Sequence, residues 1–277
     1  MSGFILDDES LDQISGQLPD LENLTKTIFK FVPDFISVKC PVDSNIPVAA
    51  VCLHDMLNTL FGVRIALREY HANRIWYREK SDPPNKSLAT VMMKYYVDDA
   101  ATRLYAAGEH LANAIICMLD IKDSQLEPYR KNRTSQQSIV GHYLVNEFPQ
   151  NPITVCIINL VKSREWSNAV EYRNKWVHEQ PPTIHGLGVA YKRKKRWIIN
   201  DEGNGKVTYT LGLGTGDGAD FSVDDIMGFV QPAVFKFVAV CDEVVSFYTQ
   251  ILGKHGITIT DKGISLKLFE AAKPKKV

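Results

Sequence analysis

Apolar positions along this chain recur mainly at helical spacing. In the stretch 88–121, Val97, Ala101, Leu104, Gly108, Leu111, Ile115 and Met118 follow one another at alternating steps of four and three. That is a heptad-like seam, and the small residues at 101 and 108 let a second helix approach closely. Tyr105, Ala112, Ile116 and Leu119 widen the apolar face, while Asp98, Thr102, Glu109 and Asn113 lie mostly away from it. Ser87 reads as the cap of this helix. A second long helix is predicted over 47–79 from Val51, Leu53, Leu57, Leu60, Phe61, Ile65 and Leu67, with Ser44 or Asn45 as N-cap and Pro47 in the first turn. The cluster Ser81-Asp82-Pro83-Pro84-Asn85 separates the two.

Shorter elements surround these. Asp20 caps a helix over 21–31 that Pro33 ends, and the remainder of the first 45 residues reads as an irregular N-terminal arm. Residues 122–134 are polar and basic and read as a loop, followed by a helix over 135–148. Asn151-Pro152 opens a helix over 153–161, although the β-branched run Ile153-Thr154-Val155 also suits a strand. A helix over 163–179 is stopped by Pro181-Pro182.

The pattern then changes. Segments 189–199 and 206–213 flank Asn200-Asp-Glu-Gly-Asn-Gly205, the strongest β-hairpin signal in the chain. Ser222-Val-Asp-Asp225 is a capping box. It opens a last long helix whose stripe is Ile226, Val230, Val234, Phe237, Cys241, Val244, Tyr248 and Leu252, with a kink expected at Pro232. The pattern predicts a mainly α fold: an N-terminal arm (1–45), an up-and-down helical bundle (46–256) with a hairpin inserted at about 189–213, and a tail (257–277) carrying a strand-like Ile257-Thr-Ile-Thr260 and a basic end.

Composition narrows the function classes. Among 277 residues, Lys plus Arg and Asp plus Glu are both 32, so the formal net charge is zero. That argues against a protein that coats long nucleic acid by net phosphate neutralisation. The cysteines Cys40, Cys52, Cys117, Cys156 and Cys241 show no C-x-x-C spacing, which removes a zinc ribbon or a redox motif of that kind. Their apolar neighbours suit small core residues. The start lacks a signal-peptide pattern, and no uninterrupted apolar run is long enough for a membrane span. The reading is a cytoplasmic protein without membrane attachment, metal or cofactor.

Candidate chemistry concentrates in Glu171-Tyr-Arg-Asn-Lys-Trp-Val-His178. On a helix, Glu171, Asn174 and His178 share a polar face, and the long side chain of Arg173 can swing toward it. A guanidinium holds a phosphate through paired hydrogen bonds and offsets charge that builds in a transition state. A histidine can take a proton from a ribose 2′-hydroxyl or return one to the leaving oxygen. The 2′-hydroxyl supplies the nucleophile, so this chemistry needs no metal.

Arg173-Asn174-x-x-x-His178 resembles the Arg-polar-x3-His signature of the HEPN superfamily of ribonucleases. The resemblance covers residues 47–180 and the last helix as architecture. It implies a helical bundle with the motif on a late helix, and a homodimer in which two motifs face each other across a cleft. It also implies metal-independent endoribonuclease activity of the kind found in toxin–antitoxin, defence or stress systems, where an antitoxin or other protein partner is common. Carried over, Arg173 binds the scissile phosphate, His178 is general acid or base, and Asn174 orients either of them. Products would end in a 2′,3′-cyclic phosphate and a 5′-hydroxyl. The competing reading is a non-catalytic helical module that binds a protein partner, RNA or a nucleotide.

Further residues fall around this motif. Glu171 and Glu109 are candidate orienting carboxylates, Glu109 if its helix packs against 163–179. Tyr172 can stack an unpaired base, Trp176 likewise, and Lys175 can meet phosphate. The run Lys192-Arg193-Lys194-Lys195-Arg196 can attract an RNA backbone, with Arg193, Lys194 and Arg196 the candidate contacts; the same charges on a hairpin discourage edge pairing. Leu211-Gly-Leu-Gly-Thr-Gly-Asp-Gly218 matches neither a dinucleotide fingerprint nor a Walker loop and reads as a flexible turn. His54, His71, His110, His142, His185 and His255 show no metal-ligand spacing.

Overall fold

The computed structural model describes residues 6–131, 133, 135–178, 182–187, 191–201, 207–215 and 219–266; over 191–215 and at 266 it describes the backbone alone. The fold is mainly α with an inserted antiparallel hairpin. Its helices are α1 (Asp8–Ser15), α2 (Glu22–Ile28), α3 (Pro33–Ser37), α4 (Ile46–Arg74), α5 (Lys86–Met118), α6 (Asp123–Arg130), α7 (Gln136–Glu147), α8 (Pro152–Val161), α9 (Arg164–His178) and α10 (Val223–Lys254). Strands β1 (Tyr191–Asp201) and β2 (Val207–Thr215) form the hairpin, and β3 (Ile257–Thr260) pairs with β4 (Gly263–Leu266). The chain divides into two compact units. One comprises Met1–Leu18, Ile65–Ala101 and Asn168–Pro232; the other comprises Pro19–Arg64, Thr102–Ser167 and Ala233–Val277.

In the second unit the first half of α4 buries Ala49, Ala50, Leu53, Met56, Leu57, Leu60 and Val63. Two adjacent columns of the helix are thus apolar, so Val51, counted in the sequence stripe, is exposed, as is Ile65 beyond it. Tyr248 of α10 donates its hydroxyl to the Ile46 carbonyl at 2.7 Å, and Phe31 packs edge-on against the Tyr248 ring. Trp166 stacks on Phe237. The stretch Ile46–Lys80, in which wider π-type turns continue α4 to Lys80, is long and apolar enough by length and composition to cross a membrane. The columns just named are buried within the protein, as in a core helix. In the first unit, Tyr70 donates to Asp224 Oδ1 at 2.6 Å and Arg78 donates to Asp224 Oδ2 at 2.8 Å, so one carboxylate ties α4 and its extension to the first turn of α10.

Several boundaries differ from the sequence reading for local reasons. The first 45 residues are not irregular, since α1, α2 and α3 form there and bury Ile14, Leu24, Ile28 and Ile36. The N-cap of α2 is Leu21, and Asp20, one residue earlier, accepts from the Glu22 N–H at 2.8 Å; Pro33 sits in the first turn of α3 as well as behind α2. The polar stretch after α5 contains α6, because Gln125 reaches back to the Lys122 N–H and Leu126 is buried. Asn85, not Ser87, caps α5 through the Leu88 N–H at 3.0 Å. Segment Pro152–Val161 is helical despite its β-branched residues: Asn151 Oδ1 accepts from the Ile153 N–H at 3.0 Å and Pro152 presets the first turn. Replacing Asn151 with alanine is expected to cost about 1 kcal/mol, read as a shift of the urea midpoint. The capping box at Ser222 and Asp225 forms as read. Helix α10 runs on through Pro232.

The hairpin lies where the pattern placed it, with Lys195 opposite Leu213 and Asp201 opposite Val207. Residues 211–215 of the glycine-rich segment belong to β2, so that half is a strand and not a turn; 216–218 lie outside the described residues. The hairpin is closed at its root. Thr183 donates from its N–H (2.9 Å) and hydroxyl (2.8 Å) to Asp220 Oδ2, the Asp220 N–H donates back to the Thr183 hydroxyl at 3.0 Å, and Ile184 bridges Phe221. Nothing in the sequence pattern marked this clamp.

Candidate phosphodiester site at the end of helix α9

Helix α9 is amphipathic over its last three turns. Ala169 and Tyr172 are buried, whereas Glu171, Val177 and His178 are exposed and Arg173 and Asn174 are half-buried. The spacing brings the three motif residues together. Arg173 Nη1 donates to Asn174 Oδ1 at 3.1 Å and lies 3.1 Å from His178 Nε2. A guanidinium only donates, so the imidazole accepts through Nε2 and carries its proton on Nδ1. The described part of α9 runs to His178.

The other candidates are placed differently. Glu171 faces Lys175 in an i,i+4 ion pair at 2.6 Å, so the two satisfy each other and Glu171 does not orient the motif. Glu109 accepts from the backbone N–H of Gln136 at 2.9 Å and thereby serves the N-terminus of α7, which corrects the orienting role drawn from its helix position. Tyr172 is a core residue, not a base-stacking surface: it is 3% exposed, and its hydroxyl donates to Asp98 Oδ1 at 2.5 Å. Burial, reinforced by the Asp98 charge, pushes its phenol well above the ordinary range. The side chains of Arg193, Lys194 and Arg196 lie outside the described residues.

What the sequence reading missed is the support beneath the motif. Asp98, assigned there to the outer side of α5, gathers three donors: Tyr172, the Trp176 indole Nε1–H at 2.7 Å, and the Lys94 ammonium. The Lys94 and Asp98 side chains are 14% and 13% exposed. Lys94 lies over the Tyr172 and Trp176 rings at 5.7 and 5.5 Å from their centroids, a cation–π arrangement. Burial holds the Lys94 ammonium below its usual range, against the opposing pull of Asp98. Tyr172 and Trp176, one turn apart, thus fasten α9 to α5 on the side away from His178. The available signal was the pairing of two i,i+4 motifs, Lys94/Asp98 and Tyr172/Trp176, one charged and one aromatic.

Elsewhere in the first unit, His71 is buried, with Nε2 3.2 Å from Gln231 Oε1; Gln231 in turn donates to the Gln17 carbonyl at 2.8 Å. Burial lowers its imidazole to about 4, Arg74 adding to the effect and Gln231 opposing it. The folded chain therefore resists protonating a ring that the unfolded chain protonates near pH 6.5. Stability is expected to be full above that pH and to fall by about 2 to 3 kcal/mol as pH drops toward 4. Urea midpoints at successive pH values check this. The slope should flatten in His71→Gln.

Among the described residues, no three His, Cys, Asp or Glu side chains gather in a way that would hold a metal ion. Comparison with protein-family models, with curated proteins and with solved structures gives no match.

Proposed function

We propose that the chain is an endoribonuclease of the HEPN type, cutting RNA by attack of the 2′-hydroxyl with Arg173, Asn174 and His178 as its working residues. The observation that carries this reading is the 3.1 Å approach of Arg173 Nη1 to His178 Nε2 in the last turns of α9. A phosphodiester entering beside the ring would draw the guanidinium onto its non-bridging oxygens. That exposes the Nε2 lone pair, which can accept the 2′-hydroxyl proton as the O2′–P bond forms and the P–O5′ bond breaks. The imidazolium so formed can then protonate the departing O5′. Asn174 holds the guanidinium within reach of the ring. In this reading two copies of the chain work as a homodimer, and a protein partner such as an antitoxin restrains them.

The test is incubation of the purified chain with single-stranded RNA in excess chelator. Fragments ending in a 2′,3′-cyclic phosphate and a 5′-hydroxyl are expected from the wild type and not from the Arg173→Ala/His178→Ala double variant. Equal cutting by both, or no cutting by the wild type, overturns the assignment. A second reading, a non-catalytic module that binds RNA or a protein, draws on the local satisfaction of Lys175 by Glu171 and of Arg173 by Asn174. RNA binding without product would select it.

A further inference from the structure

Helices α4 and α5 lie antiparallel in the second unit. Three pairs of residues mark this, moving forward along α4 and backward along α5. Asp120 Oδ1, just past α5, accepts from the Asn45 N–H and Nδ2, both at 3.3 Å. Cys52 and Cys117 are hydrogen-bonded to each other through their side chains. A Cβ on Gly62 would stand 2.9 Å from Arg103 Cδ, so the two helices are close there. The helix register therefore holds two thiols face to face.

Both are partly exposed, whereas Cys40 and Cys241 are buried. Cys52 lies one turn after Val48 and beside Val51, both of which face solvent, so a small oxidant can reach it. Cys241 already contacts the Met56 thioether at 3.3 Å. Burial disfavours the charged form of both sulfurs, and the shared hydrogen bond lets one thiol keep its proton while the other carries the charge. Cys52, next to the exposed Val48 and Val51, is the thiol an oxidant reaches first, and Cys117 lies behind it as the resolving thiol.

We propose that Cys52 and Cys117 are a modification site, an oxidisable thiol pair that a hydroperoxide converts to a reversible disulfide. The Cys52 thiolate attacks the terminal peroxide oxygen. An S–O bond forms, the O–O bond breaks, and the departing alkoxide or hydroxide takes a proton, which reduces the peroxide by two electrons and leaves Cys52 as a sulfenic acid. The Cys117 sulfur, giving up its proton, then attacks the Cys52 sulfur. The S–S bond forms as the S–O bond breaks, and water leaves. Two thiols and one hydroperoxide become one disulfide, water and an alcohol or second water; a dithiol reductant reverses the change. The bond ties the start of α4 to the end of α5, the same ends that Asn45 and Asp120 already join.

The experiment uses the full chain, reduced, desalted and then exposed to equimolar hydrogen peroxide. Remaining thiols are alkylated, and proteolytic peptides are read by mass spectrometry with and without dithiothreitol. A Cys52–Cys117 cross-linked peptide lacking two hydrogen atoms and abolished by dithiothreitol is expected, with Cys40, Cys156 and Cys241 still alkylated in the unfolded, quenched sample. In Cys117→Ser, dimedone is expected to label Cys52; in Cys52→Ser, Cys117 should stay unlabelled. Alkylation of both Cys52 and Cys117 in the peroxide-treated wild type, or a cross-link through a different cysteine, overturns the proposal. Because the decisive reading is made on the wild type, it does not depend on how well the serine variants fold.

Discussion

His178→Ala should lower the rate of RNA cleavage by roughly 10²- to 10⁴-fold, the range lost when a positioned acid–base group is removed. Arg173→Ala should lower it by about 10²- to 10³-fold, as expected for loss of a preorganised charge at the reacting phosphate. Arg173→Lys separates charge from shape. It keeps the cation but loses the planar fork, so it should recover only a minor part of the rate. The two alanine variants should be less than additive when combined, because Arg173 and His178 touch and, in the proposed mechanism, serve one phosphodiester. His178 is exposed, so the urea midpoint of its variant should stay close to that of the wild type, while the half-buried Arg173 is checked by its own midpoint. A variant that retains its midpoint and the full cleavage rate would remove that residue from the mechanism. The readout is initial rate under single-turnover conditions in chelator.

Asp98→Ala should be the most damaging single change to stability described here, at about 3 to 5 kcal/mol. The carboxylate is the common acceptor for Tyr172, Trp176 and Lys94. Its removal strands a largely buried ammonium and leaves a buried hydroxyl with no acceptor, and such losses cost far more than the worth of the original bonds. Lys94→Ala should cost less, because Asp98 would keep two neutral donors. Asp98→Asn keeps the volume and offers one carbonyl oxygen, and it should fall between the alanine variant and the wild type. Equilibrium urea unfolding orders the three. Since Tyr172 and Trp176 lie on the helix that bears Arg173 and His178, the Asp98 variants should also lose cleavage at denaturant concentrations where the wild type remains folded. An Asp98→Ala chain as stable as the wild type would mean that the charge cluster is solvated in solution.

The sequence made the long helices legible because their apolar repeats are numerous and regular. Val97, Ala101, Leu104, Leu111, Ile115 and Met118 are all buried as the seam required. A second column, Ala100, Ala107 and Ala114, is fully buried too and went unread, since alanine carries little hydrophobic signal on either face of a helix. Short helices were harder. Helix α6 depends on one glutamine reaching back to the backbone and one buried leucine, and α1 depends on Asp7 capping Ser10, interactions too few to leave a periodic trace. The motif residues were found because their chemistry is unusual at that spacing. Their support was not, because the bonds from Asp98 to Tyr172 and Trp176 span 74 and 78 positions, a separation that only the fold closes. Glu109 illustrates the converse: its place on the helix was read correctly, but the end of another helix had taken its carboxylate.

Thr183 and Asp220, on the two sides of the inserted ribbon, grip each other by backbone and side chain, and Ile184 is buried beside them. Departure and return therefore share a single doorway. Whatever is threaded between them, the strongly basic ribbon of this protein or a quite different cassette, can lengthen, shrink or be exchanged without asking the helices on either side to move. The fold thus offers a junction at which a short linker or a foreign module could be spliced in.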